Sequence, residues 1–180
     1  MGIQQRALTS EAEFLQLPES VEKTELVDGE VVVTPSPSLR HQRILGRLFR
    51  ALEAWREDVH AAVTVGLAPL DVRFGPGRIL QPDLFVVLSE LDESHSGPID
   101  LVPELCVEIP SRDRVYDRVT KRLLYAEAGV REFWLVEPTG PVERYTGVGL
   151  RMCEVCDSSI ETPLLPGFVL DIPAILGGAR

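Results

Sequence analysis

Two stretches constrain this chain more than any others: QPDLFVVL, residues 81–88, and PELCVEI, residues 103–109. Each is a short, nearly continuous apolar run behind a proline, and each carries a carboxylate, Asp83 and Glu108. A strand that alternates apolar and polar residues can leave one face wet, whereas a continuous apolar run has to be covered on both faces. These runs therefore predict strands in the middle of a sheet that has layers on either side. In the second run Val107 and Ile109 point one way and Glu108 the other. An acid in such a strand is costly unless a partner or a metal ion meets it.

The rest of the chain supplies the layers. TSEAEFLQL reads as a short helix capped by Ser10, with Glu13 completing a capping box and Pro18 ending it. Asp28-Gly29 predicts the turn of a hairpin from Thr24 to Thr34. Ser38 opens a long amphipathic helix, Leu39 to Glu57. Ile44, Leu45, Leu48, Leu52 and Trp55 recur there at helical spacing, and Arg40, Arg43, Arg47 and Arg50 fall on another face. Strands follow at VHAAVTVGLA, PLDVRF and ILQPDLFVVL. A second helix, Arg114 to Ala128, is predicted to turn Val115, Val119, Leu123, Leu124 and Ala128 inward and to end at Gly129. A strand, REFWLVEP, comes next, then a meander and an apolar C-terminal stretch that packs back on the sheet. The order predicts an α+β, α/β/α-like fold, with one mixed central β-sheet flanked by helices. An N-terminal hairpin and a C-terminal meander are added to it.

At 180 residues the chain fits a single domain spanning 1–180. No apolar run approaches the roughly 20 residues that span a bilayer, and the N-terminus has no apolar signal region. Three cysteines then point to free thiols in a reducing cytoplasm. Cys153 and Cys156 make one CxxC without a second pair, a weak zinc signal. There is no GxxxxGK phosphate loop and no GxSxG elbow, which argues against NTP hydrolysis and serine hydrolysis. The net charge of −10 counts against tight non-specific binding of nucleic acid. Clusters at Arg40–Arg50 and at Arg112, Arg114, Arg118, Lys121 and Arg122 predict a locally basic rim.

Asp83 and Glu108 on neighbouring strands, with a lysine on the next helix, suit hydrolysis of a phosphodiester. Negative charge builds on the phosphate during in-line attack by water, and a hard cation held by carboxylates neutralises it. LQPDLFVV, LVPELCVEIPSRDR and YDRVTKRLLYAEAGVREFWLVEP, with TELVDGEVV, PSPSLRHQRI and LLPGFVLDI, resemble the PD-(D/E)XK nuclease superfamily and within it the Uma-two branch. The most specific parts are the proline-aspartate and the series Asp117, Lys121, Tyr125, Gly129-Val130 and Trp134. The resemblance implies a restriction-endonuclease-like core and a Mg²⁺- or Mn²⁺-dependent endonuclease. It also implies DNA as substrate, with RNA the alternative, and a homodimer. Asp83 would be the aspartate of the PD element and Glu108 the acidic member, together holding the metal. Lys121 would replace the lysine that normally follows two residues after the acid, where Pro110 stands here. Glu25 resembles a further acidic site residue. His41 matches a histidine of the branch, although a histidine at a helix start is more often structural. The rival reading is a catalytically inactive nuclease-fold module that binds nucleic acid or protein, which the acidic charge and the altered EIPSRDR loop favour.

Overall fold

The computed structural model describes residues 8–18, 22–110 and 115–177. Helix α1 (Glu11–Phe14) opens with the expected capping box: the Ser10 hydroxyl accepts from the Glu13 N–H, and Glu13 Oε2 accepts from the Ser10 N–H at 2.8 Å. Strands β1 (Lys23–Val27) and β2 (Glu30–Thr34) form the hairpin. Asp28 and Gly29 both take positive φ, 49° and 84°, as a two-residue type I′ turn requires. Ser38 caps α2 (Leu39–Asp58) by accepting from the His41 N–H at 3.2 Å, and the stripe from Ile44 to Trp55 is buried.

Strands β3 (Thr64–Leu67), β4 (Val72–Gly75), β5 (Arg78–Leu80), β6 (Leu84–Val87) and β7 (Leu105–Glu108) follow. The run ILQPDLFVVL is thus two strands, because Pro82 has no N–H to give a ladder and the chain changes sheets there. A π-helical turn (Tyr116–Lys121) leads into α3 (Arg122–Ala128), which Gly129 ends in the left-handed conformation. Then come β8 (Glu132–Val136), β9 (Val142–Thr146), a 3₁₀ turn (Val148–Leu150), β10 (Met152–Cys156), β11 (Ser159–Glu161), β12 (Val169–Asp171) and α4 (Ile172–Leu176).

The fold is α+β, with a mixed six-stranded sheet in the order β10-β9-β8-β7-β6-β3 flanked by helices. Only its β7–β8 pair is parallel. The N-terminal hairpin lies in a second, antiparallel sheet, β2-β1-β5-β4, rather than beside a single sheet. Residues of β6, β7 and β8 alternate between two cores, as the continuous apolar runs require. Leu84, Val86, Leu105, Val107, Trp134 and Val136 pack against α2 and the C-terminal stretch Leu164 to Ile175. Phe85, Val87, Cys106, Phe133 and Leu135 pack against α3 and β4. The Trp55 indole ties the C-terminal stretch down by donating to the Pro166 carbonyl at 3.1 Å.

One expectation is reversed. Val115, Val119 and Leu123, predicted to face inward, are 70%, 42% and 48% exposed, whereas Asp117, Lys121 and Tyr125 are buried; Leu124 is buried as predicted. The helix turns a charged face to the interior because buried carboxylates wait there. Its predicted start at Arg114, and Arg112 before it, lie outside the described residues. Among the described residues no helix is long and apolar enough to cross a membrane.

Candidate active site

Strand register assembles the acids. Leu84 stands opposite Val107 in the antiparallel β6–β7 ladder. Asp83, one residue earlier, therefore comes beside Glu108, one residue later, and both project to the α3 side. Lys23 and Glu25, two apart on β1, share a face. That face reaches the same place because β1 pairs with β5, whose chain runs directly into Asp83 through Gln81 and Pro82. The N-terminal turn of α2 delivers His41, and the π-helical turn delivers Lys121. Tyr116 and Lys121 are five residues apart, a separation that the wider π turn places on one side, and both meet Glu25.

Glu25, Asp83, Glu108 and Lys121 are brought together, with His41 beside them. Lys121 Nζ lies 2.9 Å from Glu108 Oε1 and 3.0 Å from Glu25 Oε1. Glu25 also accepts from the Gln81 N–H at 2.8 Å and from the Tyr116 hydroxyl at 3.2 Å. The Tyr125 hydroxyl donates to Glu108 Oε1 at 2.5 Å. Asp83 Oδ2 accepts from the Ile109 N–H at 2.9 Å and lies 2.9 Å from His41 Nε2. The buried His41 Nδ1 has no hydrogen-bond partner among the described residues.

Lys23 is the residue that sequence reasoning missed. Its Nζ is 3.0 Å from Asp83 Oδ1 and 3.7 Å from Glu108 Oε2. A signal existed: once Glu25 is placed in the site, strand alternation turns Lys23 toward it as well. Tyr116 was also missed, and Tyr125, one of the residues that carry the family resemblance, makes a polar contact to the site.

Burial and charge pull against each other here. Burial would raise the Asp83 carboxyl, but Lys23 and His41 outweigh it and hold the group far below the usual carboxylate range. Burial pushes Glu108 up to about 8, against the pull of Lys121 and Lys23, and the Asp83 charge adds to the rise. For Lys23 and Lys121 burial alone would lower the ammonium, but the surrounding carboxylates raise both.

Lys23, His41, Asp83, Glu108 and Lys121 line an open pocket of about 410 Å³ between β1, the α2 N-terminus and Pro69, with Glu25 buried behind it. Asp83 Oδ1 and Glu108 Oε2 are the carboxylate oxygens turned toward Lys23. Among the described residues no group of three or more His, Cys, Asp or Glu side chains is arranged to hold a metal ion. Mg²⁺, however, is commonly held by one or two carboxylates plus waters, and two hard oxygens converging on one cationic position fit it.

Other sequence features fall elsewhere. Arg40 donates to the Pro138 carbonyl at 2.7 Å and Arg47 to the Ile175 carbonyl at 3.0 Å. Arg118 pairs with Glu137 and Glu143, and Arg122 donates to the Leu150 carbonyl. Much of the expected basic rim is therefore spent holding the fold together. Cys153 is exposed and Cys156 buried, three apart on a strand and hence on opposite faces, so they are not placed to share an ion.

The chain was compared with known proteins. A family model, Uma2, described as "Putative restriction endonuclease", matches residues 11–173. No curated protein matches. A crystal structure described as a "putative nuclease belonging to DUF820", from Anabaena variabilis, is similar at a TM-score of 0.76 and 22% identity, over 93% of this chain and 97% of that one. The likeness shows that the two share this α+β fold. With a match that runs from α1 to α4, this chain belongs to the Uma2 family.

Proposed function

We propose that the chain, as a single domain over residues 1–180, is a metal-dependent DNA endonuclease in which Asp83 and Glu108 hold Mg²⁺ or Mn²⁺. The observation that carries this reading is the convergence of Asp83 Oδ1 and Glu108 Oε2 on one cationic position in an open pocket. Membership of the Uma2 family and the fold shared with a protein described as a "putative nuclease" support it. A bound divalent ion supplies charge neutralisation for the phosphate and acidifies water. The water oxygen would bond to phosphorus and give up a proton to solvent as the bond to the leaving oxygen breaks, and the leaving oxygen would take up a proton from solvent.

The chain's own residues hold this arrangement. His41 and the Ile109 N–H fix the rotamer of Asp83, and Tyr125 and Lys121 fix Glu108. An ammonium has three N–H donors, and Lys121 uses two on Glu25 and Glu108. The third can meet the attacking water or a phosphate oxygen, with Glu25 assisting by holding Lys121. The enzyme would act in the cytoplasm as a homodimer, one site per strand, on DNA or alternatively on RNA. A catalytically inactive module binding nucleic acid or protein is the second reading, favoured by the net charge of −10 and by an ammonium standing at the cation position.

The test is cleavage of supercoiled plasmid and of single-stranded DNA and RNA with Mg²⁺ or Mn²⁺, beside Asp83→Asn and Lys121→Met. Both replacements are close in size to the originals, and circular dichroism confirms folding. Nicking that needs the metal and falls by about a hundredfold or more in both variants is expected. Cleavage that survives both would come from a contaminant. No cleavage of any substrate, with no heat of Mn²⁺ binding, would favour the binding module.

A further inference from the structure

Around the three site carboxylates, nearly every contact is with a fixed group. Asp83 Oδ2 is held by His41 and a backbone N–H, Glu108 Oε1 by Lys121 and Tyr125, and Glu25 by Tyr116, Lys121 and a backbone N–H. The two oxygens left, Asp83 Oδ1 and Glu108 Oε2, both face Lys23 Nζ. The two lysines differ in setting. Both border the pocket, but the Lys121 side chain is 2% exposed and wedged between two acids, whereas that of Lys23 is 17% exposed. A lysine is a compact charge on a flexible four-carbon stem, so Lys23 can leave its place without moving the backbone of β1.

We propose that Lys23 is a resident monovalent cation of the site, which a divalent ion must displace in order to bind between Asp83 and Glu108. The inference rests on the reading that these two residues are the metal ligands. In the absence of the divalent ion, Lys23 offsets the buried negative charge of Asp83 and, once it ionises, that of Glu108. When the ion enters, the ammonium gives up a charge-assisted hydrogen bond to Asp83, and that loss weakens the observed affinity. The displaced ammonium remains tethered to β1 at the pocket wall. A phosphodiester in the pocket would offer it a new anionic partner, so that substrate and metal would favour each other's binding.

The experiment is calorimetric titration of Mn²⁺ into the full chain as wild type, Lys23→Met, Lys23→Gln and Lys23→Arg, each with and without Asp83→Asn. Thermal unfolding is followed alongside. Lys23→Met should bind Mn²⁺ about tenfold or more tightly than wild type, the scale of one charge-assisted hydrogen bond. Lys23→Gln should behave alike, Lys23→Arg should gain nothing, and Asp83→Asn should abolish the heat in every background. Without metal, Lys23→Met should unfold at lower temperature than wild type, and Mn²⁺ should restore it. If Lys23→Met proves too unstable to titrate, Lys23→Gln, which keeps a hydrogen-bond donor, gives the same comparison. Equal or weaker binding in the neutral variants would overturn the proposal, while leaving the nuclease reading intact if wild type still binds and cleaves. Tighter binding with no cleavage by wild type would uphold the role of Lys23 and overturn the activity. No Mn²⁺ binding by any form would overturn both.

Discussion

Glu108 and Glu132 are both buried acids in apolar strands, yet they behave differently. Glu132 accepts from the Trp134 indole at 2.6 Å, from Arg144 at 2.7 Å and from Thr162 at 2.7 Å. It is an internal tie between β8, β9 and the chain before β12. Glu108 lies at a pocket that it shares with Asp83, and burial, with the Asp83 charge adding to it, carries its carboxyl up to about 8. An unfolded glutamate titrates near 4.3, so the folded form holds its proton over a range in which the unfolded form has lost it. Stability is thus greatest below about pH 4.3 as far as this group goes, and is lost as pH rises toward about 8. Urea midpoints of the metal-free wild type should fall between pH 5 and 8, and Glu108→Gln should flatten that fall; equal slopes would mean that Glu108 titrates normally. The sequence made Glu108 legible through its spacing in a buried strand. It could not separate Glu108 from Glu132, because what divides them is the partners each meets in space. Lys23 escaped notice because a lysine near a hairpin is ordinarily a solvated edge residue.

The π-helical turn and α3 mark where pattern reading fails at the level of the element. Apolar periodicity assigns the inner face to Val115, Val119 and Leu123, but the interior here is polar, so Lys121 and Asp117 take it. The extra residue in the π turn, which lets Tyr116 and Lys121 meet the same glutamate, leaves no mark in composition. The hairpin, the long helix and its serine cap were legible because local chemistry alone decides them. Strand β3 offers a test of packing at this scale. Gly66 stands opposite Phe85 in the β3–β6 ladder, and a Cβ there would come within 2.1 Å of the phenyl ring. Phe85 is fully buried and has little room to yield. Gly66→Ala should therefore cost about 1–3 kcal/mol of stability, read as a lower urea midpoint, and an unchanged midpoint would mean that the ring finds another rotamer.

Over the whole molecule, charge and layering set the terms. The chain carries −10, and several of its arginines are committed to carbonyls and carboxylates of the fold. Duplex DNA without divalent ion should bind more weakly than about 10⁻⁴ M at physiological salt, measured by fluorescence anisotropy, and clearly tighter binding would reveal a basic face. A central sheet covered on both sides was legible from two apolar runs, and that expectation holds. The separate sheet β2-β1-β5-β4 was not, because it turns on where Pro82 lets the chain cross from it into the central sheet. The covering of the central sheet also has a history within each molecule's life. One side is closed partly by Leu164 to Ile175, which follow every strand of the central sheet in sequence. At about 5–20 residues per second of synthesis, the nascent chain holds Leu84, Val107 and Trp134 with part of their cover still unmade for on the order of seconds. During that interval the ribosome-bound chain, its acids already in place, is most open to chaperones and to aggregation.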